Sequence, residues 1–68
     1  MSLKQILHNN IKDYGGYMMP YNNIEIICKR TGHKTSYAER ELRKSHSPNV
    51  ETIYNEKGYV KGYRWLGI

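Results

Sequence analysis

The sequence IICKRTGHKTSYAERELRKS, residues 26–45, contains most of one predicted helix, a short turn and most of a second predicted helix. Gly32 favours the end of the first of these helices, because glycine readily adopts the left-handed conformation of a C-terminal cap. Ser36 and Glu39 form a capping-box pattern, which predicts that the second helix begins at Ser36 or one residue earlier. The pattern extends this helix to about residues 44–46, where the sequence Ser-Pro-Asn at 47–49 ends it.

The second of these helices has a narrow inner side and a basic outer side. At ~100° per residue, Ala38, Leu42 and Ser45 lie together, and Arg40 points almost the opposite way. The residues that flank Arg40 on the outer side are Ser36, Tyr37, Arg43 and Lys44. A small inner side lets the preceding helix pack closely, and the short turn at 32–35 places the two helices at a corner. This arrangement is typical of a helix-turn-helix motif.

Two further segments are predicted to lie before this pair. A capping box at Ser2 and Gln5 begins a helix over about residues 3–12. Its apolar side consists of Leu3, Ile6, Leu7 and Ile11. Residues 17–19 are predicted to be a short extended piece, because Pro20 disfavours helix at the residue before it. Asn22 is the predicted cap of the next helix, whose apolar side consists of Ile24, Ile27 and Cys28.

The C-terminal part of the chain has the composition of a β-hairpin. Residues 50–54 and 59–66 are rich in β-branched and aromatic side chains. The sequence Asn-Glu-Lys-Gly at 55–58 suits a type I turn in which the glycine forms a bulge. With this turn, the predicted cross-strand pairs are Tyr54 with Tyr59, Ile53 with Val60, and Val50 with Tyr63. Tyr63 and Trp65 are predicted to face the core, which leaves Ile53 and Val60 on the other side of the hairpin.

The positive charge of the chain is concentrated around the predicted helix-turn-helix. The 68 residues carry a net charge of +5, and the segment 29–46 alone carries six basic and two acidic residues. Such clustering indicates a polyanionic partner; the alternative is a solvated face that only aids solubility. Glu39 is placed four residues before Arg43 and is expected to pair with it. Arg40 and Lys44 are like charges at the same spacing, which is unfavourable unless an anion lies over them.

Several classes of protein are not expected from this sequence. A chain of 68 residues predicts one domain, and its single cysteine cannot form an internal disulfide. It has no apolar segment of the ~18 residues needed to span a membrane and no signal peptide, so we expect a cytoplasmic protein. His8, His33, His46 and Cys28 match no zinc-ligand spacing. Without a nucleophile next to a base, a phosphate loop or a carboxylate pair, we expect no enzyme, no cofactor and no small-molecule substrate.

Together with VETIYNEKGYVKGYRWLG at residues 50–67, the helical stretch resembles the winged helix-turn-helix family. The resemblance covers residues 1–68 as one α+β domain with three helices, a short strand after the first helix and a C-terminal hairpin wing. It implies binding of double-stranded DNA with the third helix in the major groove. The DNA-contacting residues that it implies are Lys34, Thr35, Ser36, Tyr37, Arg40, Arg43, Lys44, Lys57, Tyr59 and Lys61. Glu56 makes the tip of this wing less basic than is typical of the family.

Two functions are therefore open at this point. The first is a small DNA-binding regulator of transcription, or an excisionase-like architectural factor, of a kind encoded by phages and mobile elements. The second is a winged helix that binds protein, through an apolar patch of Ile53 and Val60 with Tyr54 and Tyr59. One such module would bury only ~600–1,000 Å² on DNA, so tight binding would require a homodimer or tandem sites.

Overall fold

The apolar patterns of the chain produce three helices and a three-stranded antiparallel sheet in residues 1–67, which a computed structural model describes. The chain is thus a small α+β domain. The helices are α1 (Leu3–Lys12), α2 (Tyr21–Thr31) and α3 (Thr35–Glu41). The strands are β1 (Met19–Pro20), β2 (Val50–Tyr54) and β3 (Val60–Trp65). Within residues 1–67, no helix combines the length and the apolar character that crossing a bilayer requires.

Helix α1 has the bounds and the cap predicted from the sequence. The Ser2 hydroxyl accepts a hydrogen bond from the Gln5 amide at 3.2 Å, and the Gln5 side chain accepts one from the Ser2 amide at 3.1 Å. This reciprocal pair satisfies two amides that would otherwise lack partners at the helix start. Leu3, Leu7 and Ile11 are buried, so the predicted apolar side faces the core.

Helix α2 begins earlier than predicted, and the strand before it lies further along the chain. Its N-cap is Pro20, which makes no side-chain capping bond, so the predicted Asn22 cap is wrong. Proline is already fixed near the φ of the first helical turn, and an extended ψ of 146° lets the helix start directly after β1. The extended piece was predicted at residues 17–19, but the strand comprises Met19–Pro20. Gly32 ends α2 with a φ of 73°, as predicted.

Helix α3 begins one residue before Ser36, within the prediction, but it is shorter than predicted. The Ser36 capping box does not form; the N-cap is Lys34, without a side-chain bond. The helix ends at Glu41 because the Ser47 hydroxyl donates to the Glu41 carbonyl at 2.6 Å and fixes a series of turns after it. Ser45 is exposed, and Ser47 occupies the buried position instead, so the predicted burial of Ser45 is wrong.

The sheet has the order β1-β3-β2, and its hairpin has the predicted turn but not the predicted register. The Gly58 amide donates to the Asn55 carbonyl at 3.0 Å, and Gly58 has a φ of 87°. The observed pairs are Val50 with Trp65, Glu51 with Arg64, Thr52 with Tyr63, Ile53 with Gly62, and Tyr54 with Val60. The pair nearest the turn is already Tyr54 with Val60 and not with Tyr59. Lys61 is then left without a partner, and this β-bulge shifts the pairs beyond it by one more residue.

This bulge changes which residues of β3 face the helices. Tyr63 is buried, and Val60 and Trp65 are half-buried against the core, as predicted for Tyr63 and Trp65. Val60 therefore lies on the core side, not opposite Ile53 on an exposed patch, and Ile53 is itself half-buried beside Gly62. The core that α1, α2, α3 and the sheet share consists of Leu3, Leu7, Ile11, Met19, Ile24, Ile27, Cys28, Ala38, Leu42, Val50 and Tyr63.

Candidate nucleic-acid interface

The outer side of α3 borders a shallow groove of ≈ 510 Å³, which we call the helix groove. Its lining residues are Gly32, His33, Lys34, Ser36, Tyr37, Arg40 and Arg43. Five of the ten residues that the sequence predicted to contact DNA are thus together in this one groove. They are held there because Ala38 and Leu42, both fully buried, fix the opposite side of α3 in the core.

The centre of the helix groove is a stack of three side chains. The guanidinium carbon of Arg40 lies 5.4 Å from the centre of the Tyr37 ring. The imidazole of His33, from the turn before α3, packs against the same ring at 5.5 Å between centroids. Cation–π contacts of this kind orient an arginine without using its N–H donors. The Arg40 side chain is therefore exposed and also directed.

A second groove of ≈ 380 Å³ continues from the first along strand β2, and we call it the edge groove. It is lined by Arg43, Lys44, Val50, Glu51, Thr52, Tyr54 and Leu66. Arg43 borders both grooves, because the chain turns away from the helix axis directly after Leu42. Lys44, predicted to lie on the helix, lies on this turn and faces the hairpin.

The tip of the hairpin borders a third groove, of ≈ 460 Å³, which we call the tip groove. Its lining residues are Tyr54, Asn55, Glu56, Lys57 and Lys61. Tyr54 is common to the edge groove and the tip groove, as Arg43 is to the helix groove and the edge groove, so each groove is adjacent to the next at one shared side chain. Tyr59 is 71% exposed beside Lys57 and Lys61. We refer to the three grooves together as the basic surface.

Acidic residues also lie on or near the basic surface: Glu51 lines the edge groove, Glu56 lines the tip groove, and Glu39 belongs to α3. Glu51 forms an ion pair of 2.8 Å with Arg64. Glu39 is half-buried and interacts with the Tyr21 hydroxyl, and the predicted ion pair of Glu39 with Arg43 is absent from residues 1–67. Burial, and then the Glu39 charge, raise the pKa of Tyr21. Glu56 remains exposed at the hairpin tip, as the sequence indicated.

Thr35 has a different environment from the other nine predicted contact residues. Its side chain is half-buried and hydrogen-bonds to Tyr21, and this bond counteracts part of the rise in the pKa of that tyrosine. Thr35 thus attaches the first turn of α3 to α2. Its position is suited to holding the helix, and its side chain is less accessible than those of Ser36 and Arg40.

Between α1 and the segment after α3, His8 and Ser47 form a hydrogen bond of 2.8 Å. Since the Ser47 hydroxyl donates its proton to the Glu41 carbonyl, His8 must be the donor to Ser47 through Nε2–H. A histidine that activates a serine nucleophile would have to accept this proton. The direction of this hydrogen bond therefore makes the pair a structural link between α1 and the end of α3.

The His8 link predicts a pH dependence of stability. Burial, and then the charges of Lys4 and Lys12, lower the pKa of His8 below its ordinary value of 6.5. The unfolded chain then binds more protons than the folded one, so the free energy of unfolding should fall as pH decreases below about 6.5. We expect a smaller fall between pH 7.5 and 5 in His8→Gln, whose amide can still donate to Ser47. Urea denaturation at both pH values measures this, and equal falls in the two proteins would refute the assignment.

The remaining candidate ligands do not come together in the structure. In residues 1–67, no three side chains of histidine, cysteine, aspartate or glutamate lie close enough to hold a metal ion. Cys28 is buried at the contact of α2 with α3, and burial, followed by the Glu39 charge, raises the pKa of its thiol. It is therefore a core residue with a weakly acidic thiol.

Sequence reasoning missed two residues of the basic surface, His33 and Tyr54. His33 was considered only as a metal ligand, although its position four residues before Tyr37 at the start of a helix is compatible with ring packing. Tyr54 was assigned to an apolar patch, whereas it connects the edge groove to the tip groove and is 60% exposed. Both roles depend on where the turns place the chain, which the spacing of residues alone does not determine.

Comparisons of the chain with protein-family models, with curated proteins and with solved structures find no match. The functional conclusion therefore depends on the geometry and charge of the basic surface itself.

Proposed function

We propose that this chain is a winged helix-turn-helix protein that binds double-stranded DNA. In this interpretation α2, the 32–34 turn and α3 form the helix-turn-helix, and the β2–β3 hairpin is the wing. Helix α3 enters the major groove, which is wide enough for an α-helix, and the wing lies against the adjacent backbone. The role that fits a module of this size is a small transcription regulator or an excisionase-like architectural factor.

The observation that carries this proposal is the continuity of the basic surface. Arg43 joins the helix groove to the edge groove, and Tyr54 joins the edge groove to the tip groove. The cations along this path are Lys34, Arg40, Arg43, Lys44, Lys57 and Lys61. A polyphosphate backbone extends over such a distance with regularly spaced charge, which a compact anion does not.

The alternative, a protein-binding winged helix, has less support. It requires an exposed apolar patch, but Val60 packs against the core and Ile53 is half-buried. The exposed rings of the hairpin, Tyr54 and Tyr59, lie among Lys57 and Lys61. Tyrosines mixed with lysines suit a wet, anionic partner better than an apolar one.

The proposal is tested by measuring binding to random duplex DNA over a series of salt concentrations. We expect the dissociation constant of the wild type to rise steeply with salt, because each neutralised phosphate contributes about 0.9 to the log–log slope. Arg40→Gln/Lys44→Gln should weaken binding and reduce this slope by roughly 2. The matched control is Lys4→Gln/Lys12→Gln, which removes the same charge from α1 and should change the slope much less.

Both double variants should be shown by circular dichroism to be folded before binding is measured. A folded wild-type protein that binds no duplex at low salt would refute DNA binding and direct attention to protein partners. Equal losses in the two double variants would mean that net charge, and not the basic surface, determines binding.

A further inference from the structure

Arg40 differs from the other described cations of the basic surface in that its guanidinium lies over an aromatic ring. Its guanidinium lies over the Tyr37 ring, which is itself packed against His33. Within residues 1–67 its side chain forms no ion pair, so its planar set of N–H donors is free for a ligand. A side chain that is already oriented loses less conformational freedom on binding than a mobile one.

The position of Arg40 in the helix groove also separates it from the cations at the ends of that groove. Lys34 precedes α3 and Arg43 follows it, so both are placed to meet the phosphates on either side of a groove in DNA. Arg40 lies between them in the chain, in the last turn of α3 and on its outer side. In the proposed complex this is the part of α3 that meets the edges of the bases.

We propose that Arg40 reads a guanine in the major groove and that Tyr37 is the positioning residue that holds it for this contact. The inference rests on the proposed DNA-binding function and adds the base that the surface selects. Guanine presents two acceptors, O6 and N7, side by side, and the two parallel N–H groups of a guanidinium match both. Adenine presents a donor beside N7, and cytosine presents a donor, so each leaves part of the arginine without a partner.

The experiment begins with selection of preferred sites from a randomised pool of duplex DNA by the wild-type protein. Dissociation constants are then measured for four duplexes that differ only in the base pair at the selected guanine. We expect the wild type to prefer guanine by roughly 5- to 150-fold, the range of one bidentate contact. Arg40→Gln should abolish this preference or transfer it to adenine, whose N6 and N7 match a glutamine amide.

Lys44→Gln is the control for charge, because it removes one cation of the basic surface without removing the oriented guanidinium. It should weaken binding to all four duplexes by a similar factor and leave the guanine preference intact. Tyr37→Phe keeps the ring under Arg40 and should keep the preference. Tyr37→Leu removes the ring and should reduce the preference without changing the salt dependence, which a merely destabilising change would not do selectively.

The outcomes separate this inference from the proposed function. If the wild type binds no duplex, both are wrong. If it binds all duplexes equally, or if Arg40→Gln retains the guanine preference, DNA binding stands and the assignment of Arg40 is wrong. If Tyr37→Leu keeps the full preference while Arg40→Gln loses it, Arg40 reads the base and the positioning role of Tyr37 is refuted.

Discussion

Replacement of Gly62 by alanine is expected to destabilise the domain by about 3 kcal/mol or more, at or above the usual upper limit for overpacking. A Cβ at this position would lie 2.4 Å from the Met19 carbonyl oxygen and 2.6 Å from Cγ of Met18. The Met18 side chain can rotate away, but the carbonyl belongs to β1, which pairs with β3 at this point. The methyl group would therefore separate the two strands. A domain of this size has a total stability of only about 3–10 kcal/mol.

Urea denaturation of three variants tests this explanation. Met18→Ala/Gly62→Ala should be no more stable than Gly62→Ala, because the collision with the backbone remains when the side chain is removed. Gly58→Ala is the control in the same hairpin: nothing lies within 4 Å of its Cβ position, so only its positive φ should cost about 1 kcal/mol. The steric explanation would be wrong if adding Met18→Ala restored the stability of Gly62→Ala. It would also be wrong if Gly62→Ala lowered the free energy of unfolding by less than Gly58→Ala does.

Helix α1 and the end of α2 were predictable because neighbouring residues specify them. In α1 the cap and the apolar spacing agree, and in α2 the buried side and the Gly32 cap agree with the prediction. The end of α3 was not predictable. It depends on the bond of Ser47 to Glu41, and Ser47 is in turn held by His8, 39 residues away in the sequence. A contact between such distant residues leaves no periodic signal near either one.

The hairpin shows the same division between local and distant causes. Its turn was predictable because Asn55 and Gly58 are sufficient to form it, and the Asn55 side chain accepts bonds from the amides of Lys57 and Tyr59. Its register was not predicted correctly, because the pairing was counted straight through Lys61, although a glycine inside a strand, here Gly62, often marks a bulge or a close approach of backbone. The close approach of β1 to Gly62 lies directly after this bulge.

For the candidate site, the sequence predicted which residues form a basic face but not how their side chains are arranged. Clustering of charge in residues 29–46 indicated a basic face, and the structure brings Arg40 and Arg43 into one groove. The support of Arg40 by Tyr37 and His33 depends on the angle between the 32–34 turn and α3, which spacing alone does not determine. The link from Arg43 to Tyr54 depends on the early end of α3.

Replacement of Leu42 by alanine should have an effect of similar size, about 2–5 kcal/mol. Leu42 is fully buried and is the C-cap of α3, and its amide donates to the Ala38 carbonyl at 3.0 Å. Removing its side chain leaves a cavity beneath the last turn of the helix, where α3 is in contact with α1 and α2. Since Arg40 and Arg43 lie on either side of this cap, the cavity also loosens the support of the helix groove.

Two matched variants distinguish the loss of packing from a general effect of substitution. Leu42→Met conserves most of the volume and should cost less than about 1.5 kcal/mol, and Leu66→Ala, at a site 48% exposed, should cost about 1 kcal/mol or less. Thermal unfolding measures all three, at roughly 4–8 °C per kcal/mol for a domain of this length. If the chain binds DNA as proposed, duplex DNA at about 100 times its dissociation constant should raise the free energy of unfolding of Leu42→Ala by about 2.7 kcal/mol, because the DNA binds only the folded form. A Leu42→Ala protein as stable as Leu66→Ala would contradict the view that the buried Leu42 side chain helps to hold α3 in the core.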